Sequence, residues 1–417
     1  MSGDCPVPSG QVSRNVGRYM GPVIMIVGVV LMIVIHEGGH FLASKAFGMK
    51  ATEAFFGFGP KLWSTKKGES EYGIKAIPFG GYVRIIGMNP FEEIDAADEH
   101  RTYRFAPFWK KAVVVLAGIV SHFVVALILL WTVGTTWGVT VVDASGFAVR
   151  TTTVAAVVET IPDDFQTLPA AIDVPRDAAP SPAVIAGVEP GDVIVAIGNN
   201  PIETWEQFTD FVKENGDTKV AFTVNRDGER VDLLAVLATI DVPRIVDGKT
   251  VRNDTGNIIT EPIGFFGITT TAKQEHVGPV RMIPVAFGQF WETVVTSLKS
   301  LWQLIIGFPA LVMSVFGSDD EILETVRPIS PIGLVQLAGP LQVTLLLLAY
   351  VNIFVGVLNF VPVYPLDGGH FAAATFEKVT GRQPNVQKLL PITAAVFLLL
   401  VTLGLMGVYL DIFKPYR

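Results

Sequence analysis

The chain has 417 residues, half of them hydrophobic and only 17% charged, with a mean hydropathy of +0.47. A soluble globular chain is about a quarter charged, so this composition excludes an ordinary soluble domain and points to a membrane protein. The single cysteine, Cys5, excludes an intrachain disulfide framework; the net charge of −8 discriminates little by itself, and no nucleic-acid partner is expected.

In chain order, a polar N-terminal tail (1–20) precedes a first apolar run at 21–43. That run is too long for a signal peptide, and no small-residue cleavage site closes it. Further runs that meet the spanning length of about 18–20 apolar residues lie at 112–133, 342–363 and 389–410. The segment 300–316 is shorter and broken by Gly307 and Pro309, and 281–341 reads as membrane-associated amphipathic helices. Four transmembrane helices are therefore expected.

Between the first two spans, Phe55-Phe-Gly-Phe-Gly-Pro60 and Tyr72–Gly87 are apolar, glycine-rich and β-patterned. Beside a span, such segments are expected to dip into the bilayer, where protein or a water-filled cavity must cover the backbone. Between the second and third spans, 134–280 reads as an exported region. It contains a turn at Pro190-Gly191, an alternating strand, a turn at Asn199-Asn200, a helix from Trp205 to Lys213, and a hairpin over 220–237 turning at Asp227-Gly228. That succession, about 151–240, resembles bacterial PDZ domains, which bind an extended peptide at a sheet edge. Residues 160–182, rich in Pro, Asp and Ala, read as an irregular insertion.

Lysine and arginine set the expected orientation. Residues 48–111 carry ten, and Lys378, Arg382 and Lys388 lie between the last two spans, so both loops read as cytoplasmic. Residues 134–285 hold 21 acidic against 11 basic residues and read as extracytoplasmic. The first two spans (21–133) and the last two (342–417) then bring their inner ends to the same side.

The first span ends in His36-Glu-Gly-Gly-His40. Histidines at i and i+4 project from one helix face, a spacing suited to one Zn²⁺, and the intervening Glu37 is placed to act as a base. Ionisable groups inside a span are costly and mark function. Zinc needs a third protein ligand. His122 in the second span is one candidate. Asp367 is the better one, because it follows Asn359-Phe-Val-Pro-Val-Tyr-Pro365-Leu, where two prolines and the following Gly368-Gly369 break the helix. Depth agrees with four spans, since a fifth at 300–316 would move Asp367 to the opposite face. A peptide-binding membrane scaffold and a metal transporter are the other classes open at this point.

HEGGH in the first span, LDGG after the third, and a PDZ-like module between the second and third together resemble the site-2 protease family of intramembrane zinc metalloproteases, of the bacterial regulator of sigma-E protease type. The resemblance covers nearly the whole chain after residue 20. It implies a polytopic α-helical membrane protein with membrane-associated β elements and an extracytoplasmic PDZ domain, placed in a bacterial plasma membrane with the active site toward the cytoplasm. It implies hydrolysis within the transmembrane segment of a single-span substrate such as an anti-sigma factor, with a peptide or protein terminus read by the PDZ domain. His36, His40 and Asp367 match the zinc ligands, Glu37 the catalytic glutamate, and Asn359 the asparagine that steadies substrate. The second span departs from the family's Ala-Gly-Pro-x-x-Asn pattern: Ile119 follows Ala117-Gly118, and His122 takes the Asn place.

Overall fold

The computed structural model describes residues 9–89, 92–142, 148–161, 179–246, 249–251, 253, 258–316 and 328–413. The chain divides into two compact units, one of Met1–Trp137 with His276–Pro415 and one built on Gly138–Glu275. The first unit opens with helix α1 (Ser9–Ala46). Residues 9–20, expected as a tail, continue this helix; only the first eight residues of that tail fall outside the described residues. Met20–Ala46 is long and apolar enough to cross a bilayer. The helix stops at Gly48, whose positive φ of 76° lets Met49 N–H return to Ser44 O at 2.9 Å.

Two long strands follow, β1 (Ala51–Lys67) and β2 (Ser70–Ile85). Their register shows each strand folding back on itself. Phe55 pairs with both Tyr82 and Gly73, while Trp63, Ser64 and Thr65 pair with Ile74, Gly73 and Tyr72. The result is four rows, in the order 61–67, 70–75, 51–56 and 81–85. The bends fall at Gly57 and Gly59, with φ of +86° and +82°, and at Gly80, with φ of +91°, conformations that a residue bearing Cβ resists. Phe55 and its neighbours are thus a central row, not an available edge. The rims are 61–67 and 81–85. A stack of buried Phe55, half-buried Tyr82 and exposed Phe58 runs across the rows, with ring centroids 5.9 and 6.1 Å apart. A single 3-10 turn (Glu99–Arg101) leads to α2 (Phe108–Thr136), the second candidate span.

In the second unit the elements run β3 (Val139–Thr140), β4 (Arg150–Val157), α3 (Pro182–Ala186), β5 (Val193–Ile197), β6 (Asn200–Pro201) and α4 (Trp205–Glu214). They continue with β7 (Lys219–Arg226), β8 (Glu229–Val236), β9 (Ala238–Pro243), β10 (Ile245–Val246), β11 (Lys249–Thr250), β12 (Thr260–Phe265), β13 (Ile268–Ala272) and β14 (Gln274–Glu275). The main sheet has the order β13-β4-β5-β7-β8, with β6 beside β5. Asp227 and Gly228, both at positive φ, join β7 to β8 with Arg226 opposite Glu229, the two-residue hairpin turn that such a pair favours. Thr204 caps α4 through a box with Gln207. Phe208, Phe222 and Phe266 pack with Ile194, Ile197 and Leu237 as the core. Most of the insertion expected at 160–182 lies outside the described residues.

The chain re-enters the first unit as α5 (Pro279–Phe316), with Pro284 and Pro309 inside it. Next come α6 (Pro331–Leu337), α7 (Leu341–Asn359), α8 (Asp367–Thr380) and α9 (Val386–Phe413). Among the described residues four helices meet the spanning test: the two named above, α7, and α9 over Gln387–Phe413. The third span stops at Asn359, four residues before the end its hydropathy suggests. Their outward faces carry exposed Val23, Leu31, Val124, Ile128, Phe397 and Leu405, as lipid-facing surfaces do. The helices approach closely through glycine: a Cβ on Gly28 would meet the Leu348 side chain at 2.5 Å, and one on Gly356 the Phe123 ring at 2.5 Å.

Between α1 and the β rows, Glu69 receives Lys45 Nζ at 2.6 Å and Arg101 at 2.8 and 2.9 Å. Arg101 foremost, and then Lys45, hold its carboxyl down to about 2 from an ordinary 4.5. A carboxyl lowered on folding stabilises the protein above its unfolded pKa, and that contribution disappears as pH falls through the folded value. Glu69→Gln is therefore expected to cost about 1 kcal/mol at neutral pH, a partly exposed network. Its melting-temperature deficit should shrink as pH drops from 4.5 toward 2; a deficit constant across that window would show that the charge is not the source.

Candidate metal centre

His36 and His40 face one side of α1, and their rings meet edge to face with centroids 4.7 Å apart. Their Nε2 atoms are 3.2 Å apart. The third group comes from the far end of the chain. After Asn359, residues 360–366 turn back tightly, through a cis peptide between Tyr364 and Pro365, and α8 begins at Asp367. Gly368 and Gly369 permit that return: a Cβ on the first would lie 2.3 Å from Val361 O, and one on the second 2.5 Å from Tyr364 N. Asp367 Oδ2 then sits 3.3 Å from His36 Nε2 and 3.2 Å from His40 Nε2. Lys111 of α2, only 4% exposed, holds Glu377 of α8 at 2.6 Å and so fixes the helix that presents Asp367.

The three donor atoms form a triangle with edges of 3.2 to 3.3 Å. A tetrahedral ion with ligand bonds of about 2.0–2.1 Å has ligand–ligand edges of about 3.3–3.4 Å, so the spacing fits. Protonation agrees. His40 Nδ1–H donates to Val114 O at 2.8 Å, which leaves Nε2 as a bare lone pair. Asp367 Oδ2 is buried without a hydrogen-bond partner, as is His36 Nδ1. Electron pairs converging in a buried site repel unless a cation lies among them, and two imidazoles with one carboxylate form a donor set suited to Zn²⁺. Among the described residues this is the group of metal-ligating side chains that the fold assembles.

His122 is not part of that triangle. Its Nδ1 is engaged with Asn352 Oδ1 at 3.1 Å. Glu37 faces β2: a Cβ on Gly81 would lie 3.1 Å from Glu37 Cγ. Asn359 is half-buried as the last residue of α7. His370, one turn beyond Asp367, packs edge-on against Tyr364 with centroids 4.7 Å apart. Burial pushes its imidazole down to about 4, so at neutral pH it adds no positive charge near the carboxylate.

Gly118 and the Val114 carbonyl also belong to the site, and neither a bare glycine nor a main-chain oxygen carries a sequence signal of such a part. A Cβ on Gly118 would lie 2.3 Å from His40 Nε2 and 2.8 Å from His36 Cε1. Gly118→Ala is accordingly expected to lower zinc affinity by at least about 10-fold. The helical circular dichroism should persist. Native affinity in that variant, measured by chelator competition, would contradict the tight seat.

Compared with known proteins, residues 24–403 match Peptidase family M50. Zinc metalloprotease Rip1 of Mycobacterium tuberculosis is 30% identical over 95% of this chain and 98% of its own length. Its namesake from Mycolicibacterium smegmatis is 29% identical with the same coverage. Metalloprotease MmpA of Caulobacter vibrioides is 25% identical over 87% of this chain and 89% of its own. With a matched region that takes in both the HEGGH helix and the Asp367 turn, the chain belongs to Peptidase family M50, the site-2 protease family.

Proposed function

We propose that this protein is an intramembrane zinc metalloendopeptidase, which hydrolyses a peptide bond within the transmembrane segment of a single-span membrane protein, an anti-sigma factor in regulated intramembrane proteolysis. The observation that carries the reading is the convergence of His36, His40 and Asp367 donor atoms within 3.3 Å of one another, with Glu37 beside them against a sheet row. The relatives' names bring zinc-dependent proteolysis to this arrangement.

In this reading His36, His40 and Asp367 hold the zinc. When bound, zinc supplies a Lewis acid that acidifies water and polarises the scissile carbonyl. Glu37 accepts the proton of the attacking water and passes it to the leaving amide nitrogen. A transmembrane helix hides its carbonyls in internal hydrogen bonds, so the substrate must be drawn out as a strand before attack. The row 81–85 supports this step: it is a rim of the sheet, it pairs inward with 51–56, and its Gly81 lies against Glu37. An extended substrate adding to that rim would run past the glutamate. Asn359, at the end of α7, would hydrogen-bond it. The second unit's strand after Pro190-Gly191, its α4 and its β7–β8 hairpin support a PDZ domain, which would read a new terminus or exclude bulky partners. The basic loops 48–111 and 364–388 support a plasma-membrane orientation with the site toward the cytoplasm and 134–280 outside.

Two measurements test this. Native and Glu37→Gln chains should each hold about one zinc, and Asp367→Ala should lose it. Only the native chain should cut a co-expressed single-span substrate within its membrane segment, with turnover in Glu37→Gln reduced toward the upper end of about 10²–10⁴-fold. Equal processing by both would leave a membrane scaffold instead. For orientation, single cysteines placed at Ser64 and at Asn215 in a chain lacking Cys5 should label from opposite sides, the first only after permeabilisation. Labelling of both from one side would refute the arrangement.

A further inference from the structure

The two histidines of the triangle are held differently. His40 has the hydrogen bond that metal-ligating histidines ordinarily make through their second nitrogen, to Val114 O. His36 has none: its Nδ1 is buried without a partner. Its ring rests against His122, with centroids 4.7 Å apart and planes tilted by 32°. His122 is itself held. Asn352 Nδ2 donates to Leu348 O at 2.8 Å, which turns Asn352 Oδ1 outward as an acceptor, and His122 Nδ1–H donates to it at 3.1 Å. His122 and Asn352 are each 2% exposed and lie on two membrane-spanning helices. Burying a polar pair there is costly.

Both seats lie on one stripe of α2. Val114, Gly118 and His122 stand at i, i+4 and i+8, on the same helical face. The first supplies a carbonyl to His40, the second leaves room for both rings, and the third covers His36. We infer that His122, locked by Asn352, is a positioning residue for the metal ligand His36, replacing by ring packing the outer hydrogen bond that His36 lacks. This inference rests on the zinc reading above.

The test is zinc affinity of the full-length purified chain, by chelator competition, with the visible spectrum of the cobalt-substituted protein as a report on ligand geometry. His122→Ala should weaken zinc binding by about 10–100-fold and alter the cobalt spectrum. Asn352→Leu, which frees the His122 ring without removing it, should shift both in the same direction by a smaller factor. The double variant His122→Phe with Asn352→Leu restores an aromatic face without the buried polar pair, and should recover most of the affinity. Melting of the metal-free protein separates packing from positioning, and should change little in Asn352→Leu. If His122→Ala does not fold, Asn352→Leu and the double variant decide. Native affinity and spectrum in Asn352→Leu, while Asp367→Ala loses the metal, would overturn the positioning role and leave the zinc site standing. Unchanged metal binding in Asp367→Ala would instead remove the zinc reading itself.

Discussion

The approach of α1 to α2 is the constraint on which the rest of the first unit depends. A Cβ on Gly39 would lie 2.6 Å from Ala117 O, and a Cβ on Gly118 would collide with both imidazoles. Only with these two positions bare can the helices come near enough for the Val114 carbonyl to accept the hydrogen bond of His40 Nδ1–H. That one bond decides the tautomer of His40 and therefore which nitrogen carries a lone pair toward Asp367. Small residues at a helix contact inside a bilayer ordinarily serve van der Waals packing. Here the same contact also sets ligand geometry.

Bringing Asp367 to this place requires a second device. α7 crosses as far as Asn359, and the chain must reverse before it can present a carboxylate at the depth of His36 and His40. The paired glycines 368 and 369 let α8 start almost in contact with the turn it has just left. The Lys111–Glu377 ion pair then ties α8 to α2. With Glu377 half-exposed, an ion pair of this kind adds little net stability, but it narrows the orientations open to the helix. The three converging donor atoms thus come from α1 and α8, while α2 touches His40 through Val114 O, His36 through His122 and α8 through Lys111.

The sheet of β1 and β2 solves a different problem beside the same residues. Its strands fold back at glycines of positive φ, so two chain segments become four rows and the row 81–85 comes to lie against Glu37. Glutamate and strand rim are therefore neighbours by backbone contact, with no long side chain between them. A rim row paired on one side only leaves backbone N–H and C=O groups on its other side open to an added strand, which is the feature the proposed substrate binding uses. The charged network of Lys45, Glu69 and Arg101 anchors the sheet to the end of α1, and so keeps the rim in register with the helix that carries Glu37.

What the sequence by itself determined is local. Hydropathy over a span's length marked the four long apolar helices, since the bilayer thickness requires it. The i, i+4 spacing put His36 and His40 on one face because 3.6 residues make a turn. Asp227-Gly228 marked its hairpin because both residues tolerate positive φ. The tertiary structure decided what depends on pairs far apart in the chain. It brought Asp367 to the histidines and gave His122 to Asn352, a choice the sequence left between two candidates, because that choice depends on how α2 and α7 rotate against each other. It made 51–56 a central row and 81–85 a rim, because row order follows from where both strands bend together and not from either pattern alone. It gave Gly118 its part in the same way: the absence of a Cβ has no hydropathic signature, and its meaning lies wholly in which rings occupy the space it leaves.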